Sequence, residues 1–186
     1  MAFSLEALKT SHDVSVRWHS FELRPKGTPP LSEAYKASIA EKRDAFHEMA
    51  REHYGVEINS GPFGVDSRLA LVGAKFAEAH GVGDAYHDAV FRAYWQQARS
   101  IEDVAVLTEI AKRLGLDEAE FVAALGEEMW ETAVTNDVHQ AYRYGLNAVP
   151  ALVFANKYLV NGAQPYMTLV QVVEQIQAEN ESHKVE

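Results

Sequence analysis

There is no cysteine among the 186 residues of this chain. That excludes a disulfide, a thiolate metal site and a cysteine nucleophile within it, and is compatible with either redox environment. Positive charge is scarce as well: 17 Lys and Arg stand against 27 Asp and Glu, for a formal charge of −10 and a pI near 5.3. An acidic balance of that size argues against nucleic acid or an anionic membrane as the main partner. No apolar run approaches the roughly 20 residues that a membrane-spanning helix needs. The opening "MAFSLEALKTSHD" lacks the basic start and long apolar stretch of a secretion signal, which points to the cytoplasm. No metal site is expected either. His47 and His53 are six residues apart, glycines at 81 and 83 break the run between His80 and His87, and neither these nor His12, His19, His139 and His183 make a His-Glu-x-x-His spacing. "GVGD" has no following Lys-Ser/Thr and no preceding strand, so it is not a phosphate loop.

The apolar share of 47% and charged share of 24% are those of an ordinary globular chain, long enough for one good-sized domain or a core with a large insertion. "FSLEALKT" reads as the end of a helix with Leu5 and Leu8 on one side and Ser4 as its N-cap. "DVSVRWHSFEL" reads as a strand, with Val14, Val16 and Trp18 alternating with Ser15, Arg17 and His19; the phase shift at Phe21 and Leu23 suggests a bulge near Ser20. After the break at "RPKGTPP", residues 31 to about 55 form a helix capped by Ser32, with Tyr35, Ile39, Phe46, Met49 and Ala50 on its apolar face. The loop "GVEINSGPFGVDS" leads to a helix that Asp66 or Ser67 can cap and Gly81 ends. From Asp84 comes a helix with the stripe Tyr86, Val90, Phe91, Tyr94 and Trp95, which reads as core before it reads as a peptide-binding surface. "SIEDVAVLTEIAKRLG" and "LDEAEFVAALGEEMW" are two shorter helices, the second opened by Asp117 with Glu120, and "NDVHQAYRYG" is one more.

The chain closes with a hairpin, Ala151–Phe154 and Tyr158 to Val160 around a turn at Asn156-Lys157, and a last helix. Pro150 stands at the first residue of the hairpin, one of the few positions at which a sheet tolerates proline. The order of elements predicts an α/β fold: a small core from residues 1–30 and 140–186, and an all-helical insertion over 31–139.

"GLNAVPALVFANKYLVNGAQP", preceded by "SFELRP" and "DSRLALVGAKFAEAHG", resembles the DsbA-like thioredoxin-fold family, closest to its FrnE-type branch, which includes 2-hydroxychromene-2-carboxylate isomerase-like proteins. The resemblance runs from about Phe3 to Ala178 and includes "FRAYW" and the helix start matched by Val160, Gly162, Ala163, Gln164 and Pro165. It implies a thioredoxin-like core with a helical insertion, a thiol–disulfide oxidoreductase activity, and a cis Val149–Pro150 bond whose flanking backbone pairs with an extended substrate peptide.

In that family a Cys-x-x-Cys pair opens the first helix, where the helix dipole lowers the thiol pKa. "FSLEALKT" matches only the later part of that helix, so the resemblance implies that the redox motif and the strand before it are absent at the N-terminus rather than substituted. Thiol–disulfide exchange needs an attacking thiolate, and the chain as written is expected to be redox-inactive, with no catalytic residue and no cofactor. The absent strand would lie between the partners supplied by "VSVRWHSF" and "ALVF". Three repairs are then open: the flanking strands pair directly, another chain fills the gap, or residues upstream of Met1 do. The expected binding residues are Ala148, Val149 and Pro150, with His19 across the cleft from Pro150. The expected partners are an extended peptide or protein client, a second copy of the chain that covers the strand edges, and, on the isomerase-like alternative, glutathione. Some glutathione-binding relatives use a serine at the start of the first helix, but Ser4 lies well past that position and reads as a cap.

Overall fold

Leu5 and Leu8 are both buried on one face of α1 (Ala2–Ser11) and meet Leu169, Val170 and Val173 of α8 (Tyr166–Ser182). This small apolar cluster organises one of the two compact units into which the chain divides in a computed structural model, which describes residues 2–182. That unit comprises the described parts of Met1–Leu23 and Val138–Glu186; the other is Arg24–Asp137. Met1, as a candidate start, and His183 lie outside the described residues.

The hairpin of the first unit pairs β1 (Ala151–Phe154) with β2 (Tyr158–Asn161) in antiparallel register, Leu152 opposite Val160 and Phe154 opposite Tyr158. Lys157 N–H donates to the Phe154 carbonyl at 2.9 Å, and Ala155 and Asn156 both have positive φ, at 50° and 55°. That is the turn geometry whose twist matches a hairpin. Leu152, Phe154 and Val160 press onto the Leu5–Leu8–Leu169 cluster. Val14 and Val16 press onto the same cluster, half-buried between exposed Asp13, Ser15 and Arg17. The side-chain alternation expected of a strand is therefore present, but the segment is no strand, because no ladder forms along it. Among the described residues β1 pairs with β2 alone, so the flanking segments do not pair directly. Ser4 is not an N-cap: it lies inside α1, and its hydroxyl donates to the Gln164 carbonyl at 3.4 Å.

The second unit is helical: α2 (Glu33–Tyr54), α3 (Arg68–Ala79), α4 (Gly83–Trp95), α5 (Val104–Arg113), α6 (Glu118–Ala124) and the greater part of α7 (Glu128–Arg143). The expected helix "LDEAEFVAALGEEMW" is divided, with α6 ending before Gly126, and its "EMW" end runs on unbroken into "NDVHQAYR" as α7. Val72 and Phe76 of α3, Tyr86 of α4, Leu107 of α5, Phe121 of α6 and Val134 of α7 share one core. Phe76 meets Phe121 and Trp130 edge-on, each at 5.8 Å between ring centroids. The approach is tight at Gly73, where a Cβ would stand 2.4 Å from the Tyr86 hydroxyl oxygen. Asp66 caps α3 by accepting from Arg68 N–H at 2.8 Å, whereas the Ser67 side chain makes no capping bond.

Lys75 is buried, with its ammonium 2.6 Å from Asp137 and 3.1 Å from Glu78, which ties α3 to α7. The aromatic stripe of α4 is divided. Tyr86 is fully buried, Tyr94 donates to the Pro62 carbonyl at 3.1 Å, and Phe91 is half exposed. α2 departs furthest from expectation, since Ala50 is its only buried residue. Truncation of fully buried Phe121 to Ala is expected to cost about 3–5 kcal/mol, and of exposed Phe91 within about 0.5 kcal/mol. Urea unfolding followed by tryptophan fluorescence measures both; equal losses would mean that the core is misassigned.

Candidate functional site: the open edge of the hairpin

The Gly162 N–H donates to the Pro150 carbonyl at 2.9 Å, which makes Pro150 and Gly162 a hydrogen-bonded pair. Such pairs alternate along an antiparallel ladder, so Leu152 with Val160 is the next. The N–H and C=O groups of Ala151 and Val153 then point away from β2, along an edge on which no other strand stands among the described residues. All four residues of β1 are half-buried, so this edge is sheltered rather than fully in water. An edge of that kind is a template for a further extended chain.

The approach to the edge is the bend Ala148–Val149–Pro150, in which all three residues are exposed and the Val149–Pro150 bond is cis. His19 is exposed on the extended segment of the same unit, next to buried Ser20. Phe21, two residues further on, meets Tyr142 of α7 edge-on at 6.2 Å, which fixes the end of that segment. Sequence reasoning singled out the bend but missed the main-chain groups of Ala151 and Val153. The signal was available in the odd–even phase set by a proline that cannot donate to a ladder.

The other end of the hairpin is pinned to α8. The Tyr158 hydroxyl donates to Glu179 at 2.5 Å, and the Lys157 ammonium lies 2.9 Å from the same carboxylate. Gln175 adds a third bond at 3.2 Å. Donation from Tyr158, then from Lys157 and Gln175, holds the Glu179 carboxyl down to about 2 from the usual 4.5. At the bend end the Gln164 amide donates to the Asn161 carbonyl at 2.8 Å, which fixes the connection into α8. The hairpin is thus held at both ends while, among the described residues, one long edge of β1 carries no strand.

A rigid edge of this sort has the means to align an extended main chain. The chain matches the model of the DSBA-like thioredoxin domain over residues 1–174 and belongs to that family. It is 31% identical over 164 residues to the Bacillus subtilis (strain 168) protein YwbO, across 85% of this chain and 80% of YwbO. A probable DsbA oxidoreductase from Streptomyces coelicolor superposes with a TM-score of 0.80 at 26% identity, over 96% of this chain and 82% of that one. A 2-hydroxychromene-2-carboxylate isomerase superposes with a TM-score of 0.78 over 96% and 89%, and at 18% identity that likeness shows the fold alone. The architecture is that of the DsbA-like thioredoxin fold, mostly helical with a small sheet. Among the described residues no helix is long and apolar enough to cross a membrane.

A carboxyl whose pKa is depressed by folding contributes stability above its unfolded value, and that contribution is lost as the pH falls toward the folded one. For Glu179 the window runs from 4.5 down to about 2. Urea midpoints measured across that window should fall, and Glu179→Gln should flatten the fall. An identical pH profile in the variant would show that the Tyr158–Lys157–Glu179 cluster does not hold the hairpin.

Proposed function

We propose that this chain is a peptide-binding member of the DsbA-like family, which holds an extended segment along the open edge of β1 and does not itself exchange thiols and disulfides. The observation that carries the reading is the direction of the Ala151 and Val153 main-chain groups, which face away from β2 beside an exposed Val149. A peptide laid against them in β-augmentation gains up to four hydrogen bonds, each worth about 0.5–1.5 kcal/mol net. Association costs of several kcal/mol offset most of that gain, so affinity for a short peptide is weak and sequence-tolerant. Val149, with Ala148 and Pro150, sits where the peptide enters, and His19 provides a polar contact from the extended segment. The family's redox chemistry requires a thiolate nucleophile, and this sequence has no residue that supplies one.

Fluorescence anisotropy with a labelled six-residue peptide of alternating valines tests the reading. The expected change is Val153→Pro, which removes one edge donor while leaving the bonds to β2 intact, and weakens binding roughly tenfold. A millimolar titration without binding, or a Val153→Pro variant that binds like the parent, would overturn the proposal. Reduction of insulin by this chain with dithiothreitol should match the rate without protein, and catalysed turnover would refute the non-redox part on its own.

A further inference from the structure

α2 is the longest helix, 22 residues and so about 33 Å from end to end. Both ends are well made. Ser32 Oγ accepts from Tyr35 N–H at 3.2 Å, and Gly55 in the left-handed region closes the other end with Val56 N–H on the Ala50 carbonyl at 3.2 Å. Between the caps, Tyr35, Ile39, Phe46 and Met49 follow spacings of four, seven and three, which places them on one stripe. Tyr35, Phe46 and Met49 are 54%, 44% and 42% exposed. Most helical stability in proteins comes from packing of an apolar face rather than from propensity, and here that face lies open.

Charge identifies what covers it. Residues 33–43 carry three bases, Lys36, Lys42 and Arg43, against two acids, whereas residues 44–54 carry three acids, Asp44, Glu48 and Glu52, against one base. The N-terminal half of the helix is therefore net positive and the C-terminal half net negative. A second α2 laid antiparallel sets each half against its opposite and opposes the two helix dipoles. The chain as a whole carries −10 but α2 only −1, so two acidic copies approach along this helix at little electrostatic cost. A contact of this kind is isologous, with the two-fold axis at the helix midpoint.

We propose that two copies of this chain associate along α2, antiparallel, with Phe46 and Met49 buried near the axis. The pairing is independent of the peptide edge on β1. One helix face is smaller than a standard interface, so the dimer is weak and its population follows concentration.

Sedimentation of the full chain between about 5 and about 200 μM should show mass rising from 20.7 kDa toward twice that value. Phe46→Glu, and separately Met49→Lys, should weaken association at least about tenfold. Both residues are exposed, and circular dichroism shows whether each variant folds. The absence of cysteine makes the orientation measurable with a short bis-maleimide. Ala45→Cys lies about 5 Å along the axis from its mate in an antiparallel pair, and Ala34→Cys, eleven residues away on the same face, about 28 Å. Cross-linking at 45 and not at 34 is the expected result. Equal cross-linking at both positions, dimers that withstand both charge substitutions, or a wild-type monomer at the highest concentration would each overturn the proposal, including where a different protein is found to occupy the stripe.

Discussion

A β-strand carries hydrogen-bonding groups on both of its edges, and among the described residues a neighbouring strand stands on one edge of β1 only. The first unit is arranged around that condition. Leu152 and Phe154 anchor one face of the strand to Leu5, Leu8 and Leu169, and Glu179 and Gln164 fix the two ends of the hairpin. A strand so fixed cannot collapse onto its own turn to pair the Ala151 and Val153 groups. An unmade bond at a sheltered position costs about 1–3 kcal/mol, and this standing cost gives an extended partner something to gain. Side-chain chemistry is secondary at such an edge, since main-chain bonds set affinity and only alternate side chains set preference.

Val14 and Val16 make the same point from the other side. Their alternation is real, because Val14 and Val16 are half-buried while Asp13, Ser15 and Arg17 are exposed. Yet alternation records which face of a chain is dry, not whether its main chain is paired. Apolar contact with the Leu5–Leu8 cluster suffices to sort the side chains, whereas a strand also needs a neighbour at 4.7–4.9 Å with its own groups in register. The period of two in "VSVRW" was therefore a correct reading of burial and an incorrect reading of secondary structure.

The legible parts of the sequence were those decided locally. Ser32 and Asp117 stand at helix N-caps and accept from the first-turn amides, Gly81 follows the end of α3 with positive φ, and the hairpin has the boundaries its turn residues suggest within one position. What sequence could not give was decided by third parties. The Tyr86, Phe91, Tyr94 and Trp95 stripe is one pattern on a wheel, but α3 and α6 reach Tyr86 alone deeply enough to bury it. Ser4 sits before two buried leucines as a cap would, but α1 begins earlier and the hydroxyl turns to Gln164. The family itself was legible because "AVPALVF" and "NGAQP" are backbone devices, a strand entry and a helix entry, whose residue types follow from geometry. The edge at Ala151 and Val153 was not, because main-chain groups have no letter of their own.

The two open surfaces differ in what they ask of a partner, and composition separates them. The β1 edge offers oriented main-chain dipoles with little charge nearby on the strand itself, since "ALVF" carries none; any extended chain meets its terms. α2 offers a charged helix whose halves have opposite sign, a pattern that its own copy matches when reversed. An acidic protein repels its copies over most of its surface, by an amount that salt screens within about 10 Å at 0.1 M. The proposed pairing lies on a helix that carries little of this charge and exposes apolar area at Phe46 and Met49. Rising salt should accordingly strengthen the pairing modestly, because it screens the net repulsion of two −10 chains more than the short-range complementarity between helix halves, and a dimer that dissociates in salt would mean that charge rather than the apolar stripe holds it.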